Sequence, residues 1–263
     1  MTIASHRLFA LFFCTLLLAG SAQAAPAITD PVKAGYDLAV RMDQVDTSQD
    51  SYSEAVMSIN RGGKVLTRSF KTYSKHFGKD GKDEYSLIVF DRPADVNGTK
   101  YLVWSYRGLE QDDDMWAYLP AESLVRRISG SSKFASFMRS DLSNEDIQNL
   151  DDVDEYDYLL QGEENVDGID CYVLERTPKK GKETQYSRQV QWVRKDTLLR
   201  LRADRLVKKL FFSRQEKIDG IWTVTQMRVE RPREGSFTVI DWSNLRYDVG
   251  LSDAYFEHSA LQR

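Results

Sequence analysis

Histidine and cysteine are scarce in this sequence, and their scarcity excludes several kinds of site. The 263 residues contain three histidines and two cysteines. Beyond the N-terminal region only His76 and His258 remain, and neither has a second histidine or a cysteine at ligand spacing. The run Asp112-Asp113-Asp114 lacks the spacing of a calcium-binding loop and is more typical of a solvated turn. The sequence therefore predicts no metal site.

The motifs of the common catalytic machineries are missing as well. There is no G-x-S-x-G, no phosphate-binding G-x-x-x-x-G-K-[ST] and no dinucleotide-binding G-x-G-x-x-G. The serines of SGSSKFASFM have no histidine placed to serve them, and nothing singles out a pair of catalytic carboxylates. These absences favour a protein that is not an enzyme and uses no cofactor. A hydrolase of an envelope substrate is the weakest of three hypotheses.

A charge excess of one sign is also lacking. The 36 basic and 40 acidic residues are well mixed and give a net charge of −4. A nucleic-acid-binding protein would show a basic stripe, so we predict no nucleic-acid partner.

The one long apolar run lies at the N-terminus. His6 and Arg7 precede the run at residues 8–19, which is followed by Ala22-Gln23-Ala24. A basic region, a short apolar region and an A-x-A site are typical of a secretory signal peptide. The run is too short to span a bilayer, which requires about 20 apolar residues. We predict a signal peptide over residues 1–24, cleavage after Ala24 and a soluble, periplasmic protein.

Cleavage would leave Cys171 as the single cysteine. An internal disulfide is then impossible, so the exported chain depends on its core, for which about 240 residues suffice. Cys171 lies among apolar neighbours in CYVLE, which indicates a buried, inert thiol.

The pattern of the exported part predicts one helix followed by strands. Asp30-Pro31 is a good helix start, and Val32, Tyr36 and Ala39 then recur at helical spacing up to about residue 45. A second, short helical turn is predicted in SNEDIQNL, where Ser143 and Asp146 resemble a capping box.

The strands follow one another in hairpins without intervening helices, which predicts a mainly β, antiparallel fold in a single domain over residues 25–263. The predicted strands are 52–60, 65–73, 85–91, 99–107, 115–120, 124–128, 156–162, 169–177, 186–194, 197–207, 208–217, 221–231 and 236–247.

Several strands alternate between apolar and polar residues. In strand 186–194, Val190 and Trp192 share an apolar face with Tyr186, whereas Gln189 and Gln191 belong to a face predicted to be wet. Strand 99–107 is apolar on both faces. A long curved sheet covered by few helices can leave part of its concave face unfilled, and such faces bind ligands. The alternative is that Trp104, Trp116 and Tyr118 simply pack under the N-terminal helix.

Long segments of the sequence resemble the outer-membrane lipoprotein-sorting proteins of the LolA-like superfamily. The resemblance covers nearly the whole exported chain, strongly from about residue 85 to its end and weakly before that. It rests on DRPADVNGT, DDDMWAYLP, LVRRISGSSKFASFMRSDLSNEDI, YLLQGEENVDGIDCYVLE, KIDGIW and SNLRYDVGLSDAYF. The more basic stretch TLLRLRADRLV departs from the usual pattern and raises the question of a different partner at that edge.

The resemblance implies an incomplete antiparallel β-barrel of about 10–12 strands with helices covering the concave face (LolA/LolB-like). It also implies a hydrophobic cavity that receives acyl chains of lipids or lipoproteins. Similar proteins accompany inner-membrane exporters of the resistance-nodulation-division (RND) type, so such an exporter and transient membrane contact are expected.

These expectations lead to a set of candidate ligand-binding residues. Rigid aromatic and flexible apolar side chains suit an acyl chain, and arginine suits an anionic head group. We expect residues 129–138 to form a mobile lid and Arg126 or Arg127 to lie at the rim. The predicted cavity residues are Trp104, Trp116, Tyr118, Leu119, Phe134, Phe137 and Met138.

Two functions from different classes fit this reading better than the hydrolase does. The first is a periplasmic carrier that shuttles acyl chains between membranes. The alternative is a protein-binding or envelope-sensing module on the same fold. The volume of the cavity discriminates between them, because a carrier needs space whereas a sensor can have a filled core.

Overall fold

The computed structural model describes residues 29–78, 81–148 and 152–263. The predicted signal peptide lies outside the described residues, and its cleavage stays a prediction. Across the described ranges, no helix combines the length and the apolar character needed to cross a membrane.

The predicted N-terminal helix is confirmed as α1, Pro31–Asp43. The side chain of Asp30 caps it by accepting a hydrogen bond from the Lys33 amide at 2.9 Å. The helix buries Gly35, Leu38 and Ala39. It packs on the strand Tyr156–Val166.

Thirteen strands follow among the described residues, which confirms the mainly β prediction and the number of strands predicted from the pattern, one more than the upper number that the resemblance implies. They are β1 (Asp50–Arg61), β2 (Lys64–Phe77), β3 (Asp83–Arg92), β4 (Lys100–Ser105), β5 (Asp114–Leu119), β6 (Leu124–Arg127), β7 (Tyr156–Val166), β8 (Ile169–Pro178), β9 (Gln189–Arg194), β10 (Arg200–Arg205), β11 (Lys209–Ile218), β12 (Ile221–Arg231) and β13 (Ser236–Tyr247).

All thirteen strands form one open antiparallel sheet. Its order is β6-β5-β4-β3-β2-β1-β13-β12-β11-β10-β9-β8-β7, so sequence neighbours pair everywhere except at the central β1–β13 contact. The edge strands are β6 and β7. The hairpin turns therefore produce the order predicted for consecutive antiparallel strands.

One face of the sheet, here called the inner face, is covered by α1 and by a lid segment (residues 129–148). The inner cluster is the set of apolar residues beneath the lid segment. Its sheet members are Ala55, Met57, Ile59, Phe70, Ile88, Phe90, Tyr101, Val103, Met115, Ala117, Ala203, Leu210, Val229 and Ile240. Phe137 and Leu142 of the lid segment are each 1% exposed and complete the cluster.

The helices expected over this face are not confirmed. Within the part of the chain that the structure describes, α1 is the only α-helix, and it packs against β7 at one edge of the sheet. The lid segment is built from short 3₁₀ turns at Gly130–Phe134, Phe137–Arg139 and Glu145–Ile147. The last of these lies within SNEDIQNL, where a short helical turn was predicted, and it is a 3₁₀ turn rather than an α-helical one.

The opposite, outer face carries a second apolar cluster beneath a C-terminal cover (residues 248–263). Leu87 and Leu102 pack there against Ala260 and Leu261 of the cover. The cover consists of the 3₁₀ turns Asp253–Tyr255 and His258–Leu261. The sheet is thus apolar on both faces where it passes through β3, β4 and β5.

Candidate functional site

The three predicted cavity aromatics of β4 and β5 lie on the outer face. Trp104, Trp116 and Tyr118 belong to the cluster under the C-terminal cover. The Trp104 Nε1–H donates a hydrogen bond to the Phe256 carbonyl at 2.8 Å, and the Trp104 and Trp116 rings meet edge to face at 4.7 Å.

This placement corrects the prediction that they share a cavity with Phe137. The same finding overturns the alternative that they pack under the N-terminal helix. The reason is that β4 is apolar on both faces, so alternation alone does not say which face is the inner one.

Phe137 and Met138 lie on the inner face. The Phe137 ring is 4.9 Å from the Tyr101 ring and 5.9 Å from the Phe90 ring. The Tyr101 hydroxyl donates to the Met138 sulfur at 3.2 Å, and the Arg68 Nε–H donates to the Met138 carbonyl at 3.1 Å. The lid segment therefore inserts its side chains into the apolar surface on which a ligand was expected.

The backbone at this point is unusual. Met138 and Arg139 both have left-handed conformations, with φ of 50° and 65°, which non-glycine residues adopt at a cost. Phe137 is thereby directed toward the sheet while the chain reverses toward Leu142.

The remaining two predicted cavity residues lie away from Phe137. Phe134 is half-buried at the end of its 3₁₀ turn. Leu119 follows Met115 and Ala117 on the inner side of β5 and lines a shallow groove with Asn97 and Pro120. The predicted set is thus divided between both faces of the sheet and the lid segment.

The two predicted rim arginines lie on the edge strand β6. Their side chains are 58% and 60% exposed, and each pairs with a nearby carboxylate, Arg126 with Glu122 and Arg127 with Asp114. Ion pairs at this exposure contribute little to stability. Both arginines are therefore accessible at an open edge of the sheet.

Asp146 anchors the rear of the lid segment to the sheet. Its carboxylate is buried and pairs with Arg205 and Lys208. It also accepts hydrogen bonds from the Tyr186 hydroxyl at 2.8 Å and the Ser143 amide at 2.7 Å. Burial would raise the pKa of this carboxyl, but the two cations outweigh it and lower the pKa to about 2.

The inner face holds only limited space. A space of about 80 Å³ lies under α1, between Ala39, Leu174 and Gln191. Next to it, a wider space of about 310 Å³ opens at the end of the sheet, lined in part by Met42, Lys75, His76 and Tyr247. Beneath the lid segment, each sheet member of the inner cluster is at most 7% exposed.

Gln189 and Gln191 overturn another prediction, that of a solvent-exposed face on β9. The face of β9 predicted to be wet is buried, with Gln189 0% and Gln191 1% exposed. Alternation located the two faces of the strand correctly but assigned them wrongly, because polar residues line the inner face here. Cys171 is buried, as predicted, and burial raises the pKa of its thiol.

Comparisons with known proteins agree with this architecture. A family model described as an uncharacterized protein matches residues 82–263. A DUF1329 family protein from Desulfovibrio piger is 96% identical, with a TM-score of 0.88 over 89% of this chain and 100% of that chain. No curated protein matches the sequence.

Two more distant structures share the fold. A putative outer membrane lipoprotein-sorting protein domain from Vibrio parahaemolyticus is 28% identical, with a TM-score of 0.82 over 88% of this chain and 100% of that one. A LolA superfamily protein from Nitrosomonas europaea is 19% identical, with a TM-score of 0.67 over 88% and 99%. The open sheet and its covered inner face thus place the chain in the class of proteins with a LolA-like fold, as the resemblance implied. Within that class, the chain belongs to the DUF1329 family.

Proposed function

We propose that this protein is a periplasmic carrier that binds acyl chains of lipids or lipoproteins on its inner face and shuttles them between membranes. The observation that carries the proposal is the inner cluster. It is a continuous apolar surface from β1 to β5 and from β10 to β13, and short 3₁₀ turns rather than an α-helix or a strand cover it.

The lid segment suits a site that must bind and release. An acyl chain gains about 0.8 kcal/mol for each CH₂ removed from water, which alone would hold it too firmly for transfer. In this protein a ligand must first displace Phe137 and Met138 from the inner cluster. The free energy of that displacement is subtracted from the binding free energy, so the apparent affinity falls.

The front half of the lid segment is the part that we expect to move. Asp146 holds the rear half through buried ion pairs, whereas residues 129–139 contact the sheet mainly through Phe137, Met138 and one hydrogen bond from Arg68. The left-handed residues Met138 and Arg139 lie where the two halves meet. Opening at that point would expose the inner cluster and leave the anchor in place.

Because the chain resembles exporter-associated proteins, we also propose partners for it. An inner-membrane RND-type exporter would donate or accept the acyl chain, and the protein would contact the membrane transiently. Arg126 and Arg127, exposed on the edge strand, are proposed to meet an anionic head group there.

Replacement of Phe137 by alanine tests the carrier. The change removes the side chain that competes with the ligand, so the apparent Kd for a fluorescent C16 fatty acid should fall about tenfold. Phe134→Ala is the matched control, because this phenylalanine is in the same segment but outside the inner cluster. An equal effect of both variants, or none, would contradict a displaceable plug at Phe137.

The burial of the inner cluster beneath the lid segment also favours the second candidate, a protein-binding or sensing module. Such a module needs no space for a ligand. Native mass spectrometry of the protein from periplasm, extracted without detergent, distinguishes the two. Co-purifying lipid or acylated peptide supports the carrier, whereas a bare mass that persists after incubation with liposomes supports the module.

A further inference from the structure

The inner face becomes polar where it passes under α1. Three neighbouring side chains of β8 and β9 are almost fully buried: Arg176, Gln189 and Gln191 are 2%, 0% and 1% exposed. Burying an amide without a hydrogen-bond partner costs roughly 1–3 kcal/mol. Such groups are therefore expected to be satisfied by protein, water or ligand.

Gln189 is held within the protein. Its side-chain oxygen accepts hydrogen bonds from the Arg176 guanidinium at 3.1 Å and from the Arg205 guanidinium at 3.0 Å. These hydrogen bonds form a buried polar layer between Asp146, which anchors the lid segment, and α1.

The amide Nε2 of Gln189 is likewise buried without a hydrogen-bond partner among the described residues, and Gln191 differs in that its side chain lines a space. Its Nε2 is buried and has no hydrogen-bond partner among the residues that the structure describes. The side chain lines the space of about 80 Å³ under α1, together with Ala39, Tyr158 and Leu174. The side chain that carries this unpaired donor thus lines a small chamber whose other walls are largely apolar.

The chamber adjoins the surface that we assign to the acyl chain. Gln191 pairs across β9 and β10 with Ala203, a member of the inner cluster. A volume of about 80 Å³ accommodates a polar group of a few atoms, or a few water molecules, but not a chain. A ligand on the inner cluster could therefore place one polar end at Gln191.

The charges around the chamber favour an oxygen acceptor. Arg176 and Arg200 line it, together with Asp43. Both oxygens of Asp43 accept hydrogen bonds from Arg107, each at 3.1 Å. The cationic groups in the lining outnumber the anionic one, which favours an electron-rich ligand atom.

We propose that Gln191 binds the carbonyl or carboxylate oxygen at the end of a ligand's acyl chain, with its Nε2–H as the donor. This inference rests on the proposed carrier function and defines its ligand more narrowly. The protein would distinguish acylated molecules from plain hydrocarbon by the oxygen that ends the chain.

The test compares three C16 ligands in displacement of a fluorescent fatty acid: palmitate, methyl palmitate and hexadecane. Wild-type protein should bind both oxygen-bearing ligands about tenfold more tightly than hexadecane. A preference for palmitate alone identifies a free carboxylate, and equal binding of the ester identifies the carbonyl. Gln191→Leu has nearly the same volume and lacks the donor, so it should abolish the preference.

Gln226→Leu is the matched control. Its amide lies on the outer face and donates to Asp241 at 2.7 Å, so the ligand preference should persist. The Tm of Gln191→Leu should equal or exceed that of the wild type, because an unpaired buried donor is removed. This readout separates loss of recognition from loss of fold.

The outcomes separate the two proposals. If hexadecane binds as well as palmitate, or if Gln191→Leu keeps the preference, the chamber holds water only and the inference is overturned while the carrier stands. If the wild type binds none of the three, the carrier proposal fails and the inference fails with it.

Discussion

At the scale of single residues, Asp146 explains why the lid segment has one fixed end. One carboxylate pairs with two buried cations and accepts a hydrogen bond from a tyrosine. A buried ion pair adds little stability over an apolar pair of the same shape. Loss of one member, however, leaves uncompensated charges and is strongly destabilising.

Asp146→Asn should lower the free energy of unfolding at pH 7 by about 3 kcal/mol, because Arg205 and Lys208 would stay buried without a counter-charge. Urea unfolding followed by tryptophan fluorescence measures the change. Asp196→Asn serves as the control, since Asp196 is 63% exposed and pairs only with Arg194 at the surface. It should lose less than about 1 kcal/mol. Equal losses would show that the buried cluster is not an anchor.

The same carboxylate should also make stability depend on pH. Its pKa falls from 3.8 to about 2 on folding, so the folded state binds fewer protons than the unfolded state between these values. The stabilisation is therefore complete above about pH 4 and is lost as the pH falls toward 2. In Asp146→Asn this part of the acid transition should be absent.

At the scale of elements, the contact between α1 and β7 depends on a glycine. A Cβ atom at Gly35 would lie 2.8 Å from the Leu160 amide nitrogen and 3.0 Å from that of Leu159. These are backbone atoms of β7, and they cannot rotate away. Helix α1 therefore approaches β7 this closely because position 35 is a glycine. Ala39 of the same helix lines the chamber at Gln191.

Gly35→Ala should destabilise the protein by about 1–2 kcal/mol. Alanine favours the helix by about 1 kcal/mol, but overpacking against backbone costs about 1–3 kcal/mol and dominates. Thermal unfolding measures the result. Val32→Ala is the control, because Val32 is on the same helix and 60% exposed. An unchanged or higher Tm in Gly35→Ala would mean that α1 can shift outward without penalty.

The sequence predicted where the strands lie better than it predicted which face of each strand is the inner one. Turn signals and alternation predicted every strand, because both are local properties of the chain. The choice of inner face is not local. In β9, Gln189 and Gln191 look solvated by alternation, yet they are buried by α1 and a polar network from distant residues. In β4 both faces are apolar, and the C-terminal cover that decides the matter has no periodic signal.

The candidate site was predictable only in part for the same reason. SGSSKFASFM was identified as a lid from its composition, and Phe137 and Met138 do lie over the inner cluster. That Asp146 holds the lid segment depends on Arg205 and Lys208, about 60 residues away. No local pattern indicates such a pairing.

At the scale of the whole molecule, the C-terminal cover makes the outer face compatible with water. Leu102 and Leu261 are both fully buried in this contact, and Lys100 donates to the carbonyls of Ala260 and Arg263. Without the cover, a contiguous apolar patch would be exposed on β3, β4 and β5.

Deletion of residues 252–263 should therefore cause self-association, because exposed apolar patches of several hundred Å² drive contacts between molecules. Light scattering coupled to size-exclusion chromatography measures the mass, with the full-length protein as reference. A truncated protein that stays monomeric with an unchanged Tm would contradict the role given to the cover.

The pairing of β1 with β13 has a kinetic consequence. Each half of the sheet can form from neighbouring hairpins, but the two halves pair only along the β1–β13 contact, which runs from Ser51 opposite Tyr247 to Asn60 opposite Phe237. Closing so long a loop is slow, so this seam should form late in folding. Until then β1 and β13 each present an unpaired edge, and two partly folded copies could exchange strands there.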